Sequence, residues 1–437
     1  MADQTIDDIS NVAIDEPEQP GIVAVAVGRT PISVVVPAPA ELGRTITAGG
    51  TTQEIDDERM SRDHATVRRD RGAWVVVDRD SRNGTFVDGE RVVGEVRRRG
   101  DVVLRLGQTV FVLLEDARGH GARPAIRGEH VVGPELARAF EHIERNAGAD
   151  TLLLHGESGS GKELAARLFH DAGPRNTGPF VAVNCATIPE GVAERLLFGA
   201  KKGAFSGAVD APGHFQMAAG GTLFLDEVAE LDASVQAKLL RVLETREVVP
   251  VGASASTAIE LGIVAASHRE LRGAVADRRF RDDLYYRLAR TTAQLPPLRA
   301  RKVDIARLVQ REVIAVDTKL AAHPKLLESC CVRPWPGNVR ELRGAVREAA
   351  KAALVAGRDR VRLEDLPEQA GHPFGGAQPA TALERPVGST PSLDKPTIEA
   401  ALARADGVVS VAARALGLHR TQLYRLMDKF GLGRVDT

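Results

Sequence analysis

From about residue 21 to 115 the apolar positions come in short β-branched runs, "AWVVVD", "GTFVDGERV" and "DVVLRLGQTVFVLLE", divided by the polar turns "SRNG" and "RRRGD". Helical periodicity is absent, and strands at this spacing predict an all-β sandwich. After the Gly/Arg/Pro stretch "ARGHGARPAIRG" the texture changes. Apolar strands such as "TLLLH" and "GTLFLD" alternate with helical runs such as "SVQAKLLRVLETRE", which predicts an α/β domain extending to about residue 370. The stretch "GHPFGGAQPATALERPVGSTPS" has no period and reads as a flexible linker. Beyond it, "PTIEAALARADGVVSVAARALGLHRTQLYRLMDKFGL" reads as a leading helix, a Gly turn, and two helices, "SVAARALG" and "RTQLYRLMDKFG", joined by a short turn. Leu416, Leu418, Leu423 and Leu426 are the candidate core of this small all-α unit. The predicted organisation is a tail over 1–20, a β-sandwich over 21–116, a linker over 117–130, an α/β domain over 131–370, a linker over 371–392 and a helix-turn-helix unit over 393–437.

A length of 437 residues agrees with such a multidomain plan, since single cores rarely grow past roughly 250 residues. Apolar residues are 43% and charged ones 27%, and the net charge of −1 points to no whole-chain nucleic-acid or membrane partner, so partners must be read locally. Three cysteines, Cys185, Cys330 and Cys331, have neither paired metal spacing nor a disulfide pattern and suggest a reducing compartment. The start, "MADQTIDDISNVAIDEPEQP", is acidic where a leader would be basic, and no apolar run reaches the roughly 18 residues of a membrane span. The expectation is a disordered acidic tail on a cytoplasmic protein.

The clearest chemistry lies in "TLLLHGESGSGKE", an apolar strand that runs into Gly156, Glu157, Ser158, Gly159, Ser160, Gly161 and Lys162 and then a helix. In a P-loop, glycines let backbone N–H groups wrap phosphate oxygens while the lysine neutralises β/γ charge. Glu163 stands where Ser or Thr is usual. A second apolar strand, "GGTLFLDEV", ends in Asp226 and Glu227, the first suited to holding Mg²⁺ and the second to orienting or deprotonating an attacking water. Together the two elements predict ATP and Mg²⁺ as cofactors.

The segments "PFVAVNCATIPE", "LLFGAKKGAFSGA", "GTLFLDEV", "FRDDLYYRL", "LPPLRARKVDI" and "WPGNVREL" occur in the order found in bacterial enhancer-binding proteins, the AAA+ ATPases that activate sigma-54 RNA polymerase, and the chain resembles that family over roughly 131–370. Glu163 is usual in that family. The resemblance implies a P-loop ATPase with a helical lid, working as a ring read as a hexamer, on the sigma-54 RNA polymerase holoenzyme. It further implies that Asn184 holds Glu227 and couples nucleotide state to movement, that Arg281 and Arg287 are fingers reaching a neighbouring subunit's γ-phosphate, and that Arg340 is a second sensor. Guanidinium groups supplied in trans suit a transferring phosphoryl group. The family's "AATN" reads "AASH" here, which puts His268 at an asparagine's place beside the nucleotide. "GAFSGA", Gly203, Ala204, Phe205, Ser206, Gly207 and Ala208, matches the family's "GAFTGA" contact loop for sigma-54, with serine in place of threonine. An aromatic between glycines suits a projected finger better than a core helix.

Three polar turns of the sandwich, "GRT" (43–45), "SRDH" (61–64) and "SRNGTFVDG" (81–89), resemble a forkhead-associated (FHA) domain, which binds phosphothreonine peptides. That implies phosphate contacts from Arg44, Ser61 and Arg62, a peptide-backbone contact from Asn83, and structural roles for His64 and Gly84. A doubly charged phosphate is well matched by guanidinium and hydroxyl donors. The domain stands where the family commonly has a phosphorylated receiver, so the implied input is a Ser/Thr kinase acting on a separate protein or on a threonine such as Thr5 of this chain. The last helices resemble a Fis-type helix-turn-helix, which places His419, Arg420, Thr421, Gln422 and Arg425 toward a DNA major groove and Lys429 toward phosphate on double-stranded upstream DNA. Two other readings stay open: a DNA-binding regulator that acts by site occupancy without engaging sigma-54, and a phosphopeptide-binding scaffold with a vestigial ATPase. The intact Lys162, Asp226, Glu227, Arg281 and Arg287 weigh against the scaffold.

Overall fold

A computed structural model describes residues 19–27, 30–120, 125–127, 130–189, 191–204 and 209–373, with 395, 399 and 402. The chain divides into two compact units, Met1–Gln378 and Pro379–Thr437. In the second, the expected DNA-facing residues from His419 to Lys429 and the four core leucines lie outside the described residues, as do Phe205, Ser206, Gly207 and Ala208 in the first. Among the described residues no helix is long and apolar enough to cross a membrane.

The first unit begins with twelve strands: β1 (Gly21–Val27), β2 (Thr30–Pro37), β3 (Ala40–Leu42), β4 (Thr45–Ala48), β5 (Thr51–Glu54), β6 (Ala65–Asp70), β7 (Ala73–Asp78), β8 (Thr85–Val87), β9 (Glu90–Arg91), β10 (Glu95–Arg98), β11 (Val102–Leu106) and β12 (Thr109–Leu114). They form two antiparallel sheets of order β2-β1-β12-β11-β8-β9 and β10-β7-β6-β3-β4-β5. Ile22, Ala24, Trp74, Leu104, Phe111 and Leu113 fill the space between them. In β1 the alternate residues Val23 and Val25 point the other way and are also buried. Every residue of β11 and β12 is buried as well. Strands covered on both faces favour apolar residues at nearly every position, which explains the mainly apolar runs "VVLRL" and "TVFVLL", with buried Arg105 the charged exception.

The stretch read as a linker, 117–130, includes β13 (Ala125–Arg127), which pairs with β14 (His130–Val132). The α/β layer follows: α1 (Pro134–Arg145), β15 (Thr151–His155), α2 (Lys162–Ala172), β16 (Phe180–Asn184), α3 (Ala193–Phe198), α4 (His214–Met217), β17 (Thr222–Asp226), α5 (Ala233–Thr245), the pair β18 (Glu247–Val248) and β19 (Thr257–Ala258), β20 (Gly262–Ser267), α6 (Leu271–Ala276), α7 (Asp282–Leu288) and β21 (Thr292–Gln294). The five long-range strands are all parallel, in the order β16-β17-β20-β15-β21. Helix α5 stops at Thr245, two residues before the apolar period does, because Arg246 takes a left-handed conformation (φ 57°) and turns the chain into β18.

The lid consists of α8 (Lys302–Val316), a two-residue strand β22 (Ala321–Ala322), α9 (Pro324–Val332), α10 (Asn338–Val355) and β23 (Arg360–Val361), which pairs with β22. Helix α8 lies against β1, and α9 against β11 and β12, so the outer face of the sandwich and the lid share one core that includes Val23, Val112, Val309 and Leu327. Inside this seam Arg105 of β11 donates from Nε to Glu328 Oε2 of α9 at 2.5 Å, with residue exposures of 7% and 4%. The Arg105 guanidinium also stacks 3.9 Å above the Phe86 ring. A buried pair of this kind costs most when one member is removed, because the other charge stays behind without a partner. Glu328→Ala is therefore expected to lower unfolding stability by about 3–5 kcal/mol in urea titrations. The paired change Arg105→Met with Glu328→Leu should cost clearly less; equal losses would contradict the ion pair's burial.

Candidate nucleotide and phosphopeptide sites

The P-loop follows directly from β15. Gly159 has φ 75°, and a Cβ there would lie 2.3 Å from the Gly337 carbonyl oxygen, so no larger residue fits between loop and lid. Gly161 (φ 110°) opens α2, whose first residue is Lys162. Of the site residues expected along this loop, Ser158 to Glu163 line a cleft of about 1060 Å³ together with Asn184, Asp226, Glu227 and Arg340, while Gly156, Glu157 and His268 are not among its lining residues.

Lys162, 7% exposed, donates from Nζ to the Gly156 carbonyl at 3.1 Å and to Glu227 Oε1 at 3.2 Å. The other carboxylate oxygen of Glu227 is held by His268, from the backbone N–H at 3.1 Å and from Nδ1 at 2.5 Å. Burial works against the Glu227 charge, but the His268 and Lys162 contacts more than offset it, and its pKa ends below the ordinary glutamate value. Asp226 goes the other way: burial and the Glu227 charge raise it while Lys162 opposes them. Asn184 lines the same cleft, yet its Oδ1 accepts from Ala186 N–H at 3.0 Å, and the hydrogen bonds to Glu227 come from His268 and Lys162. Glu163 pairs with Arg167 one turn along α2 at 2.9 Å. Arg340 donates from Nη1 to Ser158 Oγ at 3.3 Å. Arg281 and Arg287 do not line this cleft. Arg281 is exposed and paired with Asp283 at 2.7 Å, and Arg287 Nη2 reaches the Leu243 carbonyl at 3.4 Å.

Sequence reading missed the residue that ties lid to loop. Asn338, fully buried at the start of α10, donates from Nδ2 to the Ser158 carbonyl at 3.0 Å and to Glu157 Oε2 at 3.1 Å, while its Oδ1 accepts from Leu298 N–H at 2.7 Å. Arg299 holds the same Glu157 in a two-pronged pair at 2.8 and 2.6 Å, and this guanidinium first, against burial, keeps the Glu157 carboxyl below its ordinary range. The available signal was "WPGNVREL": a polar residue after Pro-Gly, where Asn338 takes φ 51°. Lid residues Arg343 and Arg347 also line the cleft, and both bind buried Glu312.

The sequence-predicted contact loop is described only at its base. Ala200 bridges Ala211 and Val251, Gly203 has φ 86°, and Lys202 N–H bonds Asp210 Oδ1 at 2.6 Å.

At one end of the sandwich three turns converge. Gly43 is required there, since a Cβ would lie 1.9 Å from the Arg62 carbonyl oxygen. Buried His64 accepts from Ser61 N–H at Nδ1 (3.0 Å) and donates from Nε2 to the Gly84 carbonyl (3.3 Å), a pattern met by one neutral tautomer, and burial lowers its pKa. Asn83 Nδ2 donates to the Arg59 carbonyl at 2.6 Å, and Arg82 N–H to Ser61 Oγ at 3.2 Å. Arg44 spans the turn, with Nε on the Met60 carbonyl and Nη2 on the Glu58 carbonyl, both at 2.9 Å. Arg62 is exposed beside them. All four expected phosphopeptide residues thus sit on one cluster of turns.

Comparison with known proteins gives four domain matches: a sigma-54 interaction domain at 131–294, an AAA+ ATPase lid domain at 299–381, an FHA domain at 41–107 and a Fis-family bacterial regulatory domain at 390–430. The hydrogenase transcriptional regulatory protein HoxA of Cupriavidus necator is 36% identical over 368 residues, 79% of this chain and 74% of HoxA. The regulatory protein LuxO of Vibrio cholerae serotype O1 is 39% identical over 321 residues, 69% of this chain and 60% of LuxO. This chain spans 46% of the acetoin catabolism regulatory protein of Cupriavidus necator, with 41% identity. Among solved structures, NtrX from Brucella abortus in complex with ATP superimposes with a TM-score of 0.51 at 30% identity, covering 70% of each chain.

If Asn338 is the latch, Asn338→Ala should weaken binding of a fluorescent ATP analogue about tenfold, the cost of one or two lost hydrogen bonds and a stranded buried N–H. Native affinity in a folded variant would refute that role.

Proposed function

Because the chain belongs to the family of sigma-54-dependent AAA+ transcription regulators, we propose that it is an ATPase that binds upstream DNA and, as a ring, uses hydrolysis to remodel the closed complex of sigma-54 RNA polymerase. The observation that carries this reading is the meeting, in one cleft, of Lys162, the Asp226–Glu227 pair and Arg340 of the lid.

A nucleoside triphosphate suits that cleft. Positive-φ glycines 159 and 161 form the cradle, and Lys162, Arg340, Arg343 and Arg347 supply cationic walls. Among the described residues no group of three or more His, Cys, Asp or Glu side chains could hold a metal alone. Mg²⁺ would therefore depend on Asp226 with phosphate oxygens and water, its usual company in nucleotide sites, where it neutralises developing charge. Glu227, ionised and held by two donors, is suited to orienting water more than to storing a proton, since a good general base has a pKa near the working pH. Phosphate binding gives Lys162 a second set of acceptors and so weakens its hold on Glu227. His268, with its backbone N–H and Nδ1 on one Glu227 oxygen, keeps the carboxylate in place while that exchange occurs.

Arg281 and Arg287, which do not line their own cleft, act on a neighbouring subunit's nucleotide, which makes hydrolysis a property of the ring. The loop from Gly203 to Ala208 contacts sigma-54 at its tip. Arg44, Ser61, Arg62 and Asn83 bind a phosphothreonine segment and couple a Ser/Thr kinase to the ATPase. His419, Arg420, Thr421, Gln422, Arg425 and Lys429 read and hold duplex DNA. The domains that carry these roles are the sandwich over 21–116, the ATPase over 131–370 and the DNA reader over 393–437.

The test is Glu227→Gln in a reconstituted system with sigma-54 polymerase and promoter DNA. The variant should bind ATP as the native chain does, hydrolyse it at least ~100-fold more slowly and form no open complex. Native rates of multiple-turnover hydrolysis would exclude Glu227 from the chemistry.

A further inference from the structure

A second cleft, of about 350 Å³, opens between the recognition turns of the sandwich and the lid. The sandwich contributes Arg59, whose carbonyl is the acceptor for Asn83 and which lies two residues from Ser61. The lid contributes Lys325 at the first turn of α9 and Arg358, Arg360 and Arg362 around β23. Five cationic side chains thus face only two carboxylates, Asp359 and Glu364.

Two of these cations have work inside the protein. Arg358 is held by Asp365 at 2.5 and 3.1 Å, and Arg360 Nη1 donates to Gln108 Oε1 at 3.3 Å, which pins the lid edge to the β11–β12 turn. The side chains of Arg59, Lys325 and Arg362 are exposed and make no ion pair among the described residues. Positive potential is felt nearby: His323, on the same wall, has its pKa lowered by burial and then by Arg360, Lys325 and Arg105. Like charges held together across a joint cost free energy unless an anion fills the space, and a cleft of one sign concentrates counter-charge.

We infer that this cleft takes the acidic residues flanking a phosphothreonine seated on the recognition turns, so that a single peptide touches both sandwich and lid. The inference rests on the phosphothreonine reading of those turns. It adds a specificity element that the sandwich alone lacks, and it places the bound peptide against the domain that carries Arg340 and Asn338.

The probe is a phosphothreonine peptide library with randomised flanking positions, captured on the full chain and sequenced. Native protein should enrich Asp and Glu about fivefold at one or more flanking positions, the scale of several partly exposed ion pairs. The double variant Lys325→Glu, Arg362→Glu should lose that enrichment while still preferring phosphorylated peptides, which also shows that it is folded. Arg44→Ala should lose capture of every phosphopeptide. Absence of acidic enrichment in the native chain, or its persistence in the double variant, overturns the lid's part while leaving the phosphothreonine reading intact. Equal capture of phosphorylated and unphosphorylated libraries overturns that reading and the inference with it.

Discussion

The lid helices must satisfy two partners at once, and the arrangement of the first unit depends on that demand. On one side α8 and α9 bury Val309, Val313, Leu327 and their neighbours against the outward-facing valines of β1, β11 and β12. On the other, α10 begins with Asn338 hydrogen-bonded into the P-loop and places Arg340 over Ser158. A helical layer committed on both faces moves as a body, since packed interiors transmit displacement better than they absorb it. Any movement of the lid that nucleotide produced would therefore reach the sandwich, and anything that fixed the sandwich would constrain the lid. Allosteric coupling of this kind is reciprocal as a matter of thermodynamics.

The nucleotide cleft adds an electrostatic contest. Lys162 serves Glu227 and the Gly156 carbonyl in the structure, and phosphate oxygens compete for the same ammonium. Asp226 and Glu227 have opposing pKa directions, up for one and down for the other, which suits the different roles proposed for the two adjacent carboxylates. His268 sharpens that separation, because both of its nitrogen contacts go to one Glu227 oxygen. The contact of His268 with Glu227 is visible only once the side chains are placed.

Much of the local architecture was readable from pattern. The strands "TLLLH" and "TLFLD", the glycine loop after the first and the acidic pair after the second appear where apolar runs and turn residues put them. The three polar turns of the sandwich were likewise legible from Gly, Ser and Asn at turn positions, and they do converge at one end of it. What stayed hidden was long-range. "VVLRL" and "TVFVLL" announce burial on both faces but not what covers the second one, and the covering residues lie some two hundred positions later. Arg105 within that run was the visible anomaly, a charge in an apolar strand that needed a buried partner. Asn338 carries little signal in "WPGNVREL", because a single buried amide has no periodic signature. The basic cleft was invisible for the same reason: Arg59 and Arg362 are far apart in sequence and meet only through the sandwich–lid seam.

The central claim is that hydrolysis in this chain is spent on sigma-54 polymerase through the loop whose base is pinned at Ala200 and Ala211. Its most direct measurement compares native protein with Phe205→Ala for ATP turnover and for open-complex formation on a sigma-54 promoter in the same reaction. Turnover within about twofold of native, together with loss of open complexes, is the predicted result, because Phe205 is not among the described residues that line the nucleotide cleft. Undiminished open-complex formation by the variant, or native protein that hydrolyses ATP without opening the promoter, would contradict the account.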